Sequence, residues 1–456
     1  MTNLQQFFIV PFSRNIDYAA CIHRKDLTVL FIPSSKIPTR EEDCAQLFLK
    51  WDNLIKDRQN GQIKAKNKKT FTIYLVLSEQ CNLKCIYCDI LGKIDQRKNR
   101  SHMTWDIVKA SMDIMHSRLI ADTEVYAQIV FFGGEPLLNW PILVQTCEYL
   151  ATQGMNNRIE KMLITNGTLI NQEISLFLQK HKVYVVVSLD GRKSVNDSVR
   201  YKFNGKGSFD SATQGIKYLI DAIPNKFGIS CTLGSHNVLS LSEEIIFLHE
   251  QFHPRSIGIN IYHYQQDGKS PIQINDEILC QALLNVFKTT REKGIAIYQF
   301  LSVLKAFTNR QRNSDYCAAC ADKLLFTPQG RVGRCDALMF DERFSVSLQD
   351  FVSHSMPNNL DWSKFTPEHE QYCLNCAARW ICPGGCVYDQ LVRTGSLCGV
   401  ETRRCNFYIR LLNEMLELVL EATLTTEQVT DILIPSQNHF NNVIGNIPLD
   451  FLTYIT

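Results

Sequence analysis

Three cysteines fall within eight residues, Cys81, Cys85 and Cys88, spaced C-x3-C-x2-C. Thiolates this close can wrap one face of a metal cluster. Four cysteines normally satisfy a cubane of four irons and four sulfides. Three leave one iron without a protein ligand, and an open iron is a place for a substrate to coordinate. A zinc ion at the same triad would need a fourth ligand, such as a distant histidine. A second concentration holds nine cysteines between Cys317 and Cys405. It contains a C-x2-C pair, Cys373 and Cys376, followed by Cys382, Cys386, Cys398 and Cys405. CxxC pairs are also used for structural zinc.

The remaining five of the 17 cysteines, Cys21, Cys44, Cys147, Cys231 and Cys280, stand alone and read as small core residues. The opening MTNLQQFFIVPF lacks a basic start and a long apolar run, and no stretch of about 18 apolar residues occurs. A cytoplasmic, reducing setting is therefore expected, with cysteine clusters serving metal or catalysis rather than disulfides. The chain has 456 residues, 48 basic and 46 acidic, for a net charge of +2. That balance argues against nucleic acid or an acidic membrane as the main partner. With 45 % hydrophobic and 21 % charged residues, a large core and two or three domains are expected. None of the 11 histidines forms an HxxxH array, so each reads as surface or packing.

The elements that must position these residues come in three groups. Residues 1–57 read as a small α+β unit: strands at 7–12 and 28–32, then a helix from Thr39 with Glu42 completing a capping box. Residues 58–70 are polar and basic, a linker. Across 71–309, apolar strands at 71–77, 127–132, 161–165, 183–189, 227–233 and 256–262 alternate with helical patterns. In one of these helices Trp105, Val108, Met112, Met115 and Leu119 share a face, with Thr104 as N-cap. Six β-then-α units imply a parallel sheet covered by helices, with functional residues at the carboxyl ends of the strands. After about residue 310 the alternation stops, and a loop-rich, cysteine-rich domain is expected to 410. Residues 411–456 form a carboxy-terminal segment, and an amphipathic helix is expected over 406–424.

The C-x3-C-x2-C loop, with aromatic Tyr87 before its last cysteine, follows the first strand of that alternation and resembles the signature of the radical S-adenosylmethionine enzymes. The resemblance implies a partial (β/α)6 barrel. It also implies a [4Fe-4S] cluster that binds and cleaves S-adenosylmethionine to a 5′-deoxyadenosyl radical. Gly133-Gly134-Glu135-Pro136 after the second strand looks like the family's GGEP motif, with glycines for close backbone approach and Glu135 for a cationic amine. Ser188 in SLDG and Arg200 resemble contacts to the cofactor carboxylate. Asn166 in ITNGT is either a further cofactor contact or part of a simple turn.

Cys320-x9-Gly330-x4-Cys335, then Cys373-x2-Cys376-x5-Cys382-x3-Cys386 and Cys405, resembles the SPASM pattern appended to some of these enzymes. By that resemblance there are two auxiliary [4Fe-4S] clusters, three clusters in all. Cys317, Cys320, Cys335 and Cys386 would hold one, and Cys373, Cys376, Cys382 and Cys405 the other. Cys398 could replace Cys405 or pack. Asp336 matches an aspartate that serves relatives as general base, and is equally readable as a loop aspartate. The function implied is a peptide maturase that forms a thioether or carbon–carbon crosslink in a ribosomally made precursor. It would draw electrons from a flavodoxin or ferredoxin, with residues 1–57 binding a leader segment by strand addition. Anaerobic sulfatase maturation is the alternative enzyme, and a zinc-stabilised binding protein the alternative of another class.

Overall fold

The computed structural model describes residues 7–24, 29–37, 69–88, 101–154, 156–224, 226–265, 268–309, 317–354 and 369–426, with a few isolated positions beyond these. The helix expected from Thr39, Cys44 and nearly all of the 58–70 linker lie outside the described residues.

The amino-terminal unit is a three-stranded antiparallel sheet of β1 (Phe7–Pro11), β2 (Tyr18–His23) and β3 (Val29–Pro33), in that order. Two strands were expected here. The middle one, YAACIH, has few β-branched residues and no alternation of polar and apolar side chains. Its placement comes from burial: Ala19 through Ile22 are fully enclosed.

The main sheet carries six consecutive parallel strands: β4 (Lys69–Ser78), β5 (Val125–Gly133), β6 (Ile159–Thr165), β7 (Val183–Ser188), β8 (Phe227–Leu233) and β9 (Ser256–Ile261). Each pairs with the next in sequence. At least one helix follows each strand, so the β-then-α reading of the sequence matches the observed order. No pairing joins β9 to β4 among the described strands, and the sheet is open. Its two faces differ. On β7, Val183, Val185 and Val187 are buried in the helix-packed core, while Tyr184, Val186 and Ser188 face a cavity.

The helix Trp105–Ala121 buries Val108, Met112, Met115 and Leu119 as its periodicity predicts. Thr104 occupies the N-cap position with extended backbone, but its hydroxyl makes no capping bond.

The sequence pattern places a break near residue 310, yet the sheet continues past it. β10 (Lys323–Phe326) runs parallel to β4, and β11 (Arg331–Gly333) and β12 (Ser345–Ser347) extend it antiparallel. These strands are only three or four residues long, too short to show a period. The long helix Cys405–Thr426 meets the turn between β1 and β2. There Glu417 accepts from the Ser13 and Arg14 backbone amides at 2.7 and 3.0 Å.

Candidate active site

The triad loop leaves the carboxyl end of β4 and is tied down by backbone bonds. Lys84 N donates to Tyr201 O at 2.7 Å, and Ile86 N to Val199 O at 3.0 Å. Beside it, the end of β5 comes so close that only glycine fits. Gly133 has φ +139°, and a Cβ there would collide with the Ser78 carbonyl; one on Gly134 would collide with the Gln80 carbonyl. The glycines thus accommodate the chain's own backbone, with Gly134 N and Glu135 N donating to Ser78 O and Gln80 O at 2.8 Å each.

Glu135 is fully buried and absent from the cavity wall. Its carboxylate accepts from Asn166 N (2.9 Å), Thr165 Oγ1 (2.7 Å) and Leu137 N (3.1 Å). Burial raises its pKa, and the three donors oppose that rise. Asn166 joins two loops: its Nδ2 donates to Asn82 Oδ1 at 2.8 Å, and its Oδ1 accepts from Thr168 N at 3.0 Å. Asn82 Nδ2 returns a bond to Thr168 Oγ1 at 2.8 Å.

Tyr87 does more than precede the last cysteine of the triad. Its hydroxyl donates to Asp190 Oδ2 at 2.5 Å and accepts from Arg200 Nη1 at 2.6 Å. Burial disfavours the Arg200 cation, but Cys85, Tyr87 and Asp190 outweigh it and raise the guanidinium pKa. Burial drives the Cys81 thiol up to about 11. Asp190, in the SLDG stretch, was not among the residues expected to matter. Its side chain also accepts from Thr232 N at 2.8 Å, so it anchors Tyr87 to β8.

One cavity of about 1370 Å³ connects these groups to the carboxy-terminal cysteines. Its wall includes Cys81, Cys85, Cys88, Gly133, Gly134, Asn166, Ser188 and Arg200, and also Cys317, Cys335, Asp336 and Cys386. Cys320 is buried in one small core cluster with Cys386, and Cys335 packs against that cluster. A hydrogen bond from Cys320 holds the exposed Cys317 thiol at about 6, whereas burial pushes Cys335 and Cys386 up. Asp336 Oδ1 accepts from the buried Lys323 Nζ at 2.9 Å, and that ammonium lies 3.6 Å over the Tyr74 ring. Burial would raise the Asp336 pKa, but the Lys323 charge holds it at about 2.

His263, read from sequence as surface or packing, stands on the cavity wall. Its Nδ1 is 3.0 Å from Asp389 Oδ2 and 3.8 Å from Cys386 Sγ. Asp389 is completely buried, also accepts from Tyr264 N, and pairs with the equally buried Arg403 at 2.6 Å. No local spacing reveals a pair 126 residues apart.

Cys373, Cys376, Cys382 and Cys405 line a separate small pocket. Burial raises the thiol pKa of Cys376 and Cys382, and takes Cys405 up to about 12. Four thiols converging on one small pocket are a donor set suited to a thiophilic cation. Cys398 is exposed and absent from this pocket. Cys21, Cys147, Cys231 and Cys280 are buried as expected of packing residues.

Residues 75–241 match the family model of the radical SAM superfamily. The chain carries a radical SAM domain. It is 22 % identical over 363 residues to the radical SAM cyclopropyl synthase TigE of Paramaledivibacter caminithermalis, covering 76 % of this chain and 74 % of that one. It is 23 % identical over 323 residues to a cysteine-type anaerobic sulfatase-maturating enzyme of Clostridium perfringens, covering 68 % and 86 %. Two solved structures share the fold. Native anSMEcpe with bound AdoMet and Cp18Cys peptide superposes with TM-score 0.65 at 19 % identity, covering 78 % of this chain and 100 % of that one. Streptococcus suis SuiB bound to precursor peptide SuiA gives 0.52 at 17 %, covering 88 % and 98 %. No helix among the described residues is long and apolar enough to cross a membrane.

Proposed function

We propose that this radical SAM protein is a maturase of the SPASM type, built on a partial (β/α)6 barrel, that oxidatively modifies a ribosomally made peptide. The observation that carries the reading is the single cavity whose wall holds both the triad and Cys317, Cys335, Cys386 and Asp336. Its size exceeds the roughly 300–1,000 Å³ of ordinary small-ligand sites, which suits a cofactor together with a peptide segment.

Cys81, Cys85 and Cys88 would hold a [4Fe-4S] cluster. S-adenosylmethionine would lie along Gly133, Gly134, Asn166, Ser188 and Arg200. When bound, the two would supply hydrogen-abstracting radical chemistry, given one electron from the donor. Tyr87, held between Asp190 and Arg200, orients the guanidinium for the cofactor carboxylate. Three donors engage Glu135, which is fully buried and off the cavity wall, so it fixes the Gly133–Gly134 turn rather than meeting the cofactor amine directly.

Cys317, Cys320, Cys335 and Cys386 would hold a first auxiliary cluster, and Cys373, Cys376, Cys382 and Cys405 a second. Asp336 would take a proton from the substrate, which requires that Lys323 release it, since a carboxylate held at about 2 is a weak base. The product is a thioether or carbon–carbon crosslink, and the electron source a flavodoxin or ferredoxin. A bound precursor peptide in SuiB supports a peptide substrate, with the amino-terminal sheet receiving a leader segment. Co-expression with a candidate precursor and mass spectrometry tests this: loss of two hydrogens from the peptide is expected, and an unmodified peptide would count against it.

Formylglycine formation is the second enzymatic reading, favoured by the likeness to the sulfatase-maturating enzyme; conversion of a cysteine- or serine-bearing sulfatase peptide would establish it. CxxC pairs also serve structural zinc, so a single zinc ion is the alternative occupant of the second auxiliary site. Iron, sulfide and zinc analysis after anaerobic reconstitution decides between them, and near-stoichiometric zinc without a brown chromophore would remove the radical chemistry altogether.

A further inference from the structure

Two guanidiniums sit side by side where the amino-terminal sheet meets the turn after Cys376. Arg24, just past β2, stacks 4.2 Å over the Phe8 ring, and Arg379 approaches the same ring at 5.8 Å. Arg379 Nη2 donates to the Arg24 carbonyl at 3.0 Å and its Nη1 to the Leu374 carbonyl at 3.1 Å. Arg24 Nη1 reaches the Asn375 side chain at 3.4 Å. The Nε of each arginine is buried without an acceptor. Among the described residues, neither guanidinium has a carboxylate partner. Burial first, and then the charge of Arg379, lower the Arg24 pKa.

The other arginine on this seam shows what a matched contact looks like. Arg14 lies 2.9 Å from Glu414, 2.9 Å from Glu417 and 3.1 Å from Glu421 on the helix Cys405–Thr426. One side of the amino-terminal sheet is therefore docked by paired charges. The other presses two like charges together, an arrangement that repels unless an anion lies nearby. What lies nearby is the four-cysteine pocket, of which Arg379 is itself a wall residue. Four thiolates outweigh the positive charge of either a four-iron core or a zinc ion, so that site is anionic once loaded.

We infer that Arg24 and Arg379 are the counter-charge of a loaded four-thiolate site at Cys373, Cys376, Cys382 and Cys405, and that loading it holds the amino-terminal sheet on the carboxy-terminal domain. The inference rests on reading these cysteines as metal ligands, and holds for iron–sulfur or zinc alike. Arg24 comes from the sheet and Asn375 from the cysteine turn 351 residues later, so the link joins units remote in sequence.

The test is hydrogen–deuterium exchange across residues 7–24 of the full-length protein, prepared anaerobically, with metal content measured on the same samples. Cys382→Ala should lose the metal of this site and exchange at least about tenfold faster in that segment. Arg379→Gln and Arg24→Gln should each raise exchange with most of the metal retained, and Arg379→Lys should restore protection. Lys109→Gln, whose partner Asp113 lies on the same helix outside both units, should match the parent protein. If Cys382→Ala keeps the parent metal content, the ligand reading fails and this inference with it. If it loses the metal while residues 7–24 stay protected, the inference alone fails. Should Arg379→Gln not be recovered folded, Arg24→Gln on the opposite side carries the test, and unchanged exchange there would overturn the inference.

Discussion

The sulfur groups on the large cavity and the group in the small pocket are built on opposite plans. Around the cavity, cysteines share the wall with charged side chains: Arg200 beside Cys85, Lys323 and Asp336 beside Cys317 and Cys335, His263 beside Cys386. Around Cys373, Cys376, Cys382 and Cys405 the donors are mostly backbone amides, and the charged wall residues are Arg379, Glu401 and Arg404. Groups that must meet a substrate keep a face open and surround it with polar side chains able to bind and move protons. A group that only holds or passes electrons can close. The difference teaches that two similar runs of cysteines can sit in unlike surroundings, one open to a large cavity and the other enclosed.

The widest gap between the regions should appear in Cys85→Ala. It should lower reductive cleavage of S-adenosylmethionine by more than about 100-fold, since even outer-shell changes at metal sites cost 10–100-fold. The readout is 5′-deoxyadenosine; undiminished production would remove the triad from the chemistry. Asp336→Ala should leave that cleavage intact and reduce modified peptide by about 100-fold, within the range for general acid–base groups. Equal loss of both products would instead make Asp336 structural. Asp389→Asn should destabilise the chain by about 1–3 kcal/mol, because it leaves the buried Arg403 with Glu401 as its one carboxylate partner among the described residues. Thermal unfolding of the metal-free protein reads this, and a shift near zero would mean that Glu401 alone satisfies Arg403. Tyr87→Phe removes one hydroxyl from a buried network, so S-adenosylmethionine should bind about 5- to 100-fold more weakly, measured calorimetrically. Cys398→Ser should change metal content, activity and stability by nothing measurable, within about 0.5 kcal/mol. A metal loss there would redraw the boundary of the small pocket.

Much of this arrangement is legible in the chain itself. The strands β4 to β9 are apolar enough, and the helix faces regular enough, for their order to be read directly. Spacing singles out the triad and the C-x2-C pair, and the four solitary cysteines among the described residues are buried. The glycines of GGEP are also visible, although their physical need is for the backbone of Ser78 and Gln80 rather than for a ligand. Short strands were not legible, because three or four residues show no period; so β10 to β12 escaped and the sheet seemed to stop too soon.

Sequence by itself determined which residues could bind metal and in what order along the chain, because thiol chemistry and strand periodicity are local properties. Only the tertiary structure decided which of them meet. It brought Cys317, Cys335 and Cys386 to the triad's cavity and left Cys398 outside. It set Lys323 against Asp336 and turned His263 from an ordinary histidine into the neighbour of a buried aspartate. It also pressed Arg24 against Arg379 across 355 positions. Coulomb energy and burial depend on distance in space, and no spacing in the sequence encodes that distance for residues this far apart.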